Sequence, residues 1–391
     1  MDEIFIVLAK RTPIGRYRGF FQELTAVDLA SELLSQSLKE LKLDPQKIEA
    51  VMMGNVISAG LGENMARQVA LKAGLSQTSV ATTVNDVCGS SLKALRLAQG
   101  QMLMGDLGLV AVGGAESMTN APFLVAKKYK DEAADHLENS MFVDGLNDSF
   151  TGQAMGITAE NVAEKYHVTR QEMDEFALAS HQKAAKATEE QAFTEEIIPV
   201  ELHGQTLTTD ESIRPDTSLE ALANLKPVFK SNGQVTAGNS SPVNDGASML
   251  ILATAEKVKE LGLKPIAKLG EFAEAGFDPS LMGYTPYYAV KKLLAKTHRS
   301  IADYDAIELN EAFAAQAVAV ARDLEIPAEK LNILGGAIAL GHPLGATGTR
   351  LVATAISALK QVKGKRALVT LCIGGGQAIA YEIEKVDNEI L

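Results

Sequence analysis

The stretch KIEAVMMGNV at residues 47–56 shares its pattern of apolar residues with DAIELNEAFA at residues 305–314, and this repetition decides the fold. Each stretch predicts a buried strand. Cys88 lies about 38 positions after Ala50 of the first stretch, and His342 lies about 36 positions after the matching Ala306 of the second. The repeated spacing predicts two similar halves, each presenting the ends of its strands to a shared site.

Strands alternate with helices on both sides of these stretches, which is typical of a mostly parallel α/β sheet. Further strands are predicted for residues 4–8, for LGLVAVGGAES at 107–117 and for ALVTLCIGGGQA at 367–378, and the last two match each other. Amphipathic helices are predicted for Ala26–Leu41, around Asn64–Ala73 and from about Ser90 to Met104.

Residues 117–241 differ from both halves, since they hold charged helices and loops rich in Thr, Asp and Pro. This composition predicts an inserted segment and not a third core of the same kind. Its helices are expected to form a lid or an interface.

The composition narrows the class of protein. A chain of 391 residues is long enough for two or three units with their own cores. Its net charge of −12 argues against a general nucleic-acid or membrane-surface binder, although a local basic patch could still hold an anionic ligand. The histidines and cysteines lack the spacing of a metal site, and neither a dinucleotide fingerprint nor a P-loop occurs.

The expected location is the cytoplasm. The first apolar run has about six residues, too few for a signal sequence, no stretch approaches the length of a membrane span, and the final DNEIL is not a peroxisomal address. The two cysteines, far apart in the chain, are therefore expected as reduced thiols.

Cys88 lies in VNDVCGSSLKAL, between a predicted strand and a predicted helix. Ser90 and Ser91 are predicted to cap that helix. A thiol at a helix N-terminus is expected to have a lowered pKa, which favours the nucleophilic thiolate. The alternative is a small buried hydrophobic residue, and the local sequence leaves both interpretations open.

Cys372 precedes three glycines, Gly374 to Gly376, whose N–H groups could form an oxyanion hole. Taken alone, it is better explained as a core cysteine at the end of a strand. His342 lies in GGAIALGHPLGATG, where glycines and a proline surround it, and this setting favours a functional role. The other five histidines are predicted to lie at the surface: His136, His167, His181, His203 and His298.

Asn310 follows the apolar run AIEL and precedes AFAAQA. At the carboxyl end of a strand it could orient a water or a carbonyl group. It could equally cap a helix over residues 311–322.

Together these segments resemble the thiolase family, in particular its acetyl-CoA acetyltransferases, over almost the whole chain. The segments that carry the resemblance are RTPIGRYRG, NDVCGSSLKA, GGAESM, TAENVAEKY, TAGNSSPVNDGA, NEAFAAQA, GGAIALGHPLGATG and LCIGGG. The second cysteine, Cys372, distinguishes thiolases from related condensing enzymes that lack it.

The resemblance implies a role for each catalytic residue. Cys88 corresponds to the nucleophile that takes the acetyl group, and His342 to the base that activates it. Cys372 corresponds to the acid/base that removes the α-proton of the second acetyl-CoA. Asn310 corresponds to the residue whose water, with His342, stabilises the enolate oxygen. The N–H groups of Cys88 and Gly374 correspond to a second oxyanion hole.

The inserted segment resembles the thiolase loop domain that holds coenzyme A. The positions that match the family's coenzyme pocket are Leu146, Met155, Arg214, Phe229, Ala237, Ser241, Met282, Ala312 and Phe313. Arg214 is the expected cation near the nucleotide end, unless it is a solvated surface arginine. The chain departs from the common pattern at Ser91, Ala154, Ala221, Pro242, Thr285 and Leu334, and Tyr287 and Tyr288 are expected to narrow the pocket.

The resemblance implies a thiolase fold, with duplicated α/β halves in a layered αβαβα arrangement and an inserted loop domain. The expected bounds are 1–116 plus 242–264 for the N-terminal half, 117–241 for the loop domain and 265–391 for the C-terminal half. The implied reaction is the reversible condensation of two acetyl-CoA to acetoacetyl-CoA and CoA. The alternatives are a degradative 3-oxoacyl-CoA thiolase of broader chain length and a non-catalytic acyl-CoA or lipid-binding relative.

Coenzyme A and acetyl-CoA are expected as substrates, with no further cofactor and no metal. The family commonly forms dimers and tetramers, so a homotetramer, a dimer of dimers, is expected. The apolar run LVAVGGA and the inserted segment are candidate contacts. Isoprenoid precursor synthesis through the mevalonate pathway is a candidate role, beside ketone-body and storage-polymer synthesis.

Overall fold

A computed structural model describes residues 3–386 of the chain. The strands are β1 (Ile4–Arg11), β2 (Gly15–Arg16), β3 (Ala50–Gly54), β4 (Val80–Val84), β5 (Leu109–Ser117), β6 (Phe123–Leu124), β7 (Glu138–Asn139), β8 (Val200–Leu202), β9 (Gln205–Leu207), β10 (Asn244–Thr254), β11 (Ala267–Gly276), β12 (Ala306–Leu309), β13 (Arg366–Ile373) and β14 (Gln377–Lys385). The helices are α1 (Ala26–Leu41), α2 (Met65–Lys72), α3 (Ser90–Leu103), α4 (Met155–Lys165), α5 (Arg170–Glu189), α6 (Leu219–Ala223), α7 (Ala255–Leu261), α8 (Pro286–Thr297), α9 (Ala314–Asp323), α10 (Ala337–Leu340) and α11 (Thr347–Gln361). The predicted strands and helices are all present.

The main strands form one continuous sheet that repeats itself about its centre. Its order is β4-β3-β5-β10-β1 in one half and β11-β14-β13-β12 in the other, and the halves join where β1 pairs with β11. Thus β3 corresponds to β12 and β5 to β13, as the repeated sequence patterns predict. The counterpart of β4 is reduced to an isolated bridge between Ile307 and Leu331.

The prediction of a mostly parallel sheet is wrong. Only β3 with β4, β3 with β5 and β12 with β13 pair in parallel among the described strands. The sheet is mixed because β14 follows β13 after a turn of only Gly374 to Gly376, and so short a connection forces an antiparallel hairpin. In the first half, β10 returns from the inserted segment and also pairs antiparallel with β5.

Three apolar cores give the molecule its layers. The central core contains α3 and α11, packed between the inner faces of the two half-sheets. The second core holds α1 and α2 against the outer face of the first half, and the third holds α8 and α9 against the outer face of the second half. The resulting order is helix, sheet, helix, sheet, helix, which confirms the predicted αβαβα arrangement.

The inserted segment contributes α4 to α6 and two small ribbons, β6 with β7 and β8 with β9. A buried ion-pair network ties it to β1. Arg11 donates to Glu196 at 2.6 Å and to Asp210 at 2.6 Å, and all three side chains are almost completely buried. The segment is therefore fixed on the first half. The exact domain bounds stay a prediction.

Candidate active site

Both halves and the inserted segment contribute to one mostly apolar cavity of about 160 Å³. Its lining residues are Cys88, Met118, Phe142, Gly145, Leu146, Ala154, Met155, Gly156, Phe229, Ser240, Ser241, Pro242, Val243, Met282, Ala312, Phe313, His342, Leu344 and Gly374. Cys372 lies behind this wall, where it packs with Met282 and Ala312. Four of the five predicted catalytic residues, Cys88, His342, Gly374 and Cys372, are thus brought together.

Cys88 is held at a strained turn directly before α3. The preceding Val87 has a φ of 47°, which is rare for a β-branched residue. A Cβ at Gly89 would clash with the side chain of Ile373, so any larger residue after the cysteine would force Ile373 to move. The backbone N–H groups of Cys88 and Gly374 lie near enough to the sulfur to lower the pKa of the thiol. These are the two donors predicted as an oxyanion hole.

The predicted helix cap is wrong, because Ser90 and Ser91 are already the first two residues of α3 and Gly89 occupies the cap position. The Ser90 hydroxyl instead accepts from Asp86 N at 2.9 Å and donates to Val87 O at 2.6 Å, which stabilises the turn. The Ser91 hydroxyl accepts from Thr349 N at 3.0 Å and so links the starts of α3 and α11.

The predicted lowering of the Cys88 pKa is also wrong. Burial raises the pKa of the thiol to about 12, although the N–H groups of Gly374 and Cys88 itself oppose this shift. Desolvation exceeds the helix-terminus effect because the sulfur is almost completely removed from water. The free thiol therefore needs a base close to it.

His342 can serve as that base because it is held as a neutral imidazole. Burial, and secondly the charge of Arg350, lower its pKa to about 3. The ring nitrogen Nδ1 lies 2.6 Å from Thr347 Oγ1, whose hydroxyl can donate to Pro343 O at 3.0 Å. In that arrangement Nδ1 carries the proton, and Nε2 presents a lone pair toward the site.

Asn310 lies directly beside that lone pair. Its Nδ2 atom is 3.4 Å from His342 Nε2, and its side chain is fully buried. Its backbone N–H donates to Thr370 O at 3.0 Å, so the residue is fixed to β13. The alternative of a helix cap is wrong, since α9 begins at Ala314 with Phe313 in the cap position.

Cys372 is the penultimate residue of β13 and is fully buried. Burial, and secondly the nearby Cys88, raise its pKa well above the usual value of a thiol. Its Sγ donates to Gln316 Oε1 at 3.6 Å, and Gln316 Nε2 donates to Asn310 O at 3.0 Å. Gln316 thus connects Cys372 to Asn310.

The sequence reasoning did not single out Gln316 or Glu116. The buried Glu116 carboxylate accepts from Asn55 Nδ2, Val56 N, Ile57 N and Gly345 N at 2.8–3.1 Å. It therefore joins the strand ends of the first half to the loop that carries His342. Its position two residues after Gly114 in a predicted buried strand was the available signal.

Seven of the predicted coenzyme contacts line the cavity: Leu146, Met155, Phe229, Ser241, Met282, Ala312 and Phe313. The other two, Arg214 and Ala237, line a wider groove of about 750 Å³. Ser240, Pro242 and Val243 line both spaces, which therefore adjoin each other. The groove also contains Arg16 and Glu211, whose charged groups lie 3.9 Å apart, so it carries two cations and one anion.

One surface prediction fails in this groove. His181 is almost completely buried, and its Nδ1 accepts from Arg214 N at 3.1 Å. Burial, and secondly the charge of Arg214, lower the pKa of His181 to about 4. The other predicted surface histidines, His136, His167, His203 and His298, are exposed or half-buried.

The departures from the family pattern fall in different places. Ala154 and Pro242 line the cavity, and Ala221 lines the outer groove, whereas Leu334 belongs to the central core. The expected narrowing by Tyr287 and Tyr288 is wrong, because both rings pack onto the third core and neither lines the cavity. Thr285, just before them, is fully buried outside the cavity lining.

Two further findings concern what the described part of the chain lacks. None of the helices between residues 3 and 386 has the length and apolar composition needed to cross a membrane. Within the same residues, no group of three or more His, Cys, Asp or Glu side chains is placed to hold a metal ion.

Family models and similar proteins all point to the same family. The family model "Thiolase, N-terminal domain" matches residues 4–256 and "Thiolase, C-terminal domain" matches residues 263–385. A probable acetyl-CoA acyltransferase of Staphylococcus aureus is 45% identical and covers 98% of this chain and 100% of its own length. A probable acetyl-CoA acyltransferase of Staphylococcus epidermidis is 44% identical, with coverage of 99% and 100%.

Solved structures of two similar proteins have the same fold as this chain. Human mitochondrial 3-ketoacyl-CoA thiolase in complex with CoA superimposes with a TM-score of 0.94 at 39% identity, covering 98% of each chain. The Bacillus anthracis acetyl-CoA acetyltransferase superimposes with a TM-score of 0.94 at 37% identity, covering 99% of each chain. The predicted fold is therefore confirmed.

Proposed function

This chain belongs to the thiolase family of acyltransferases, and we propose that it is an acetyl-CoA C-acetyltransferase that reversibly condenses two acetyl-CoA to acetoacetyl-CoA and CoA. The single observation that carries the proposal is the meeting of two buried thiols and a neutral histidine at one apolar cavity. A binding module has no need for this combination.

In the first half-reaction, His342 Nε2 takes the proton of the Cys88 thiol as the sulfur attacks the acetyl carbonyl. The N–H groups of Cys88 and Gly374 stabilise the negative oxygen that develops. The C–S bond to coenzyme A breaks, and the leaving thiolate takes the proton of Cys372. Acetyl-Cys88, an imidazolium at His342 and a thiolate at Cys372 remain, so that both groups are ready for the second step.

In the second half-reaction, the Cys372 thiolate takes an α-proton from the second acetyl-CoA. The enolate oxygen is stabilised by the imidazolium of His342 and by a water held at Asn310. The carbanion attacks acetyl-Cys88, the new C–C bond forms and the thioester bond breaks. The Cys88 sulfur then recovers its proton from His342, which returns all three groups to their starting states. Ping-pong kinetics follow from this sequence.

Coenzyme A is expected to occupy the adjoining groove, with its pantetheine arm in the cavity and its phosphates toward Arg214 and Arg16. Both substrates carry several negative charges, and the two arginines supply a local attraction on a chain whose net charge is −12. No cofactor beyond the substrates is needed for the proposed chemistry.

The second candidate is a degradative 3-oxoacyl-CoA thiolase that accepts longer chains. One observation favours it: the cavity around Cys88 is bounded by Met118, Phe142 and Leu344, and Met side chains adapt readily to different ligands. The similar proteins include both a 3-ketoacyl-CoA thiolase and an acetyl-CoA acetyltransferase.

The deciding experiment is CoA-dependent thiolysis of a series from acetoacetyl-CoA to 3-oxohexadecanoyl-CoA, with Cys88→Ala as the control. Activity confined to acetoacetyl-CoA and absent from the variant is expected. Comparable kcat/KM on the long chains would move the protein to the degradative class. No turnover of any substrate would leave only a non-catalytic acyl-CoA or lipid-binding role.

We also propose a homotetramer in the cytoplasm that supplies acetoacetyl-CoA for isoprenoid precursors. The run LVAVGGA is unsuitable as a contact, because it is the buried β5 between β3 and β10. The free edge of β4, with Val80 exposed, is the better candidate for pairing between subunits. The apolar side chains Phe123 and Leu137, near the ribbon of β6 and β7, are a second exposed patch.

A further inference from the structure

Glu308 and Asn310 extend from the same face of the sheet. Glu308 is the third residue of β12, and Asn310 comes two positions later, so their side chains leave the backbone on one side. This side of β12 packs against α11, and both side chains are fully buried. The sequence pattern of a strand therefore places a carboxylate directly behind a proposed catalytic amide.

Arg350 of α11 approaches both side chains. Its Nη1 lies 3.7 Å from Glu308 Oε2, its Nη2 donates to Asn310 Oδ1 at 3.5 Å, and its side chain is 1% exposed. Nε and Nη1 of Arg350 and both carboxylate oxygens of Glu308 have no hydrogen-bond partner among the described residues. A buried pair with so few hydrogen bonds is unfavourable for stability, so stability alone does not explain its presence.

The contact between Arg350 and Asn310 selects one orientation of the amide. A guanidinium has only donors, and it can therefore stabilise Asn310 only when Oδ1 faces it. Nδ2 then faces His342 Nε2, 3.4 Å away. We propose that Arg350, which lies beside Glu308, is a positioning residue that keeps the N–H groups of Asn310 directed toward the reacting oxygen.

This inference rests on the proposed function and adds a residue to it. Thr347 and Arg350 are three positions apart on α11 and therefore lie on one face of that helix. Thr347 holds His342 and Arg350 holds Asn310, so one helix orients both groups that meet the enolate. The cation on Oδ1 also polarises the amide and strengthens its N–H donors.

Other charged groups surround the pair without replacing it. Glu196, Glu311, Lys183 and Arg11 are close enough to influence Glu308 or Arg350. Arg11 is occupied by Glu196, and the Glu311 carboxylate accepts from Ser180 and Asn332. Within residues 3–386, none of these four charged groups hydrogen-bonds to Asn310.

The test is a double-mutant cycle of Arg350→Met and Asn310→Ala, read as kcat and KM for thiolysis of acetoacetyl-CoA. Arg350→Met is expected to lower kcat about 10- to 100-fold, with KM changed less than about threefold, because the amide acts on the transition state. In the Asn310→Ala background the same change is expected to cost less than about threefold. Arg350→Lys should recover part of kcat, since it restores a donor.

The matched control is Thr354→Ala, one turn further along α11, where the hydroxyl contacts Glu196 at 3.2 Å. It should leave kcat unchanged. An equal loss from Arg350→Met in both backgrounds would overturn the proposal, since the arginine would then act independently of Asn310. Full activity of Asn310→Ala alone would instead refute the proposed role of Asn310.

Removal of Arg350 alone leaves Glu308 buried without its cation, and the variant could fail to fold. The variant Arg350→Met with Glu308→Gln removes both charges together. It is expected to show the same loss of kcat, and it enters the same cycle with Asn310→Ala. Wild-type kcat in the folded double variant would overturn the proposal.

Discussion

Replacing Thr347 by valine removes the hydroxyl that holds His342 and nearly preserves the shape of the side chain. Thr347 Oγ1 lies 2.6 Å from His342 Nδ1, and Asn310 Nδ2 is the only other side-chain hydrogen-bonding partner of the ring among the described residues, at 3.4 Å. In the variant, the buried Nδ1–H group would have no acceptor from this helix.

Loss of this hydrogen bond raises the free energy of the transition state more than that of the resting enzyme. In the first half-reaction His342 becomes an imidazolium, and a hydrogen bond to a charged group contributes about 1.5–3 kcal/mol. The resting imidazole is neutral, because burial lowers the pKa of His342 to about 3, so the bond is weaker before the reaction. At about 1.4 kcal/mol for each factor of ten, the variant is expected to acetylate Cys88 roughly 10- to 150-fold more slowly.

The assay is single-turnover acetylation of the enzyme by acetyl-CoA, followed by mass spectrometry of the intact protein. Thr347→Ser keeps the hydroxyl and is the matched control, expected within about threefold of the wild type. Urea unfolding of the valine variant separates a catalytic loss from a loss of folded protein. Acetylation of folded Thr347→Val at the wild-type rate would refute the assignment of His342 as a base oriented through Nδ1.

Three further outcomes are expected. Cys372→Ala should still form the acetyl-enzyme, but more slowly, because coenzyme A must then leave without the proton of Cys372, and it should fail to condense the acetyl group. Cys88→Ala should form no acetyl-enzyme, and a complete loss of acetylation in both variants would contradict the separate roles. Arg214→Ala should raise KM for CoA several-fold with kcat nearly unchanged, and an unchanged KM would place the nucleotide elsewhere. The pKa of His181 is lowered from 6.5 to about 4, so the unfolded chain binds more protons there as pH falls from 7 to 5. This linkage lowers the free energy of unfolding by about 2 kcal/mol between pH 7 and pH 5. Urea unfolding at both pH values should show a smaller decrease for His181→Asn than for the wild type.

The repeated pattern predicts the architecture well because both halves use the same local physics. The stretches at residues 47–56 and 305–314 contain strands that occupy equivalent places in the two half-sheets. Cys88 and His342 follow at equivalent points, before α3 and α11. The repeated pattern does not predict whether neighbouring strands pair parallel or antiparallel. Their direction depends on where the chain returns after the inserted segment and on the short turn after Ile373.

The sequence does not predict the groups behind the site. Gln316 and Arg350 lie in two helices whose local sequences are ordinary, and only the packing of distant elements buries them. The same limit explains the wrong pKa direction at Cys88. A helix terminus can be recognised from Ser90 onward, but the loss of water at the sulfur comes from residues far away in the chain.

The two thiols and the imidazole share one electrostatic property that connects the fold to the chemistry. Burial disfavours the charged forms of Cys88, Cys372 and His342 alike, so the resting site holds three neutral groups. If the resting site already held an ion pair, the reaction would have to weaken the attraction between its two charges. Here the N–H donors of Cys88 and Gly374 and the amide of Asn310 are already in place, and they meet charge only when the thioester carbonyl or the enolate develops it. Charge in this site is thus created by the reaction itself, which is the condition under which preorganised donors accelerate it most.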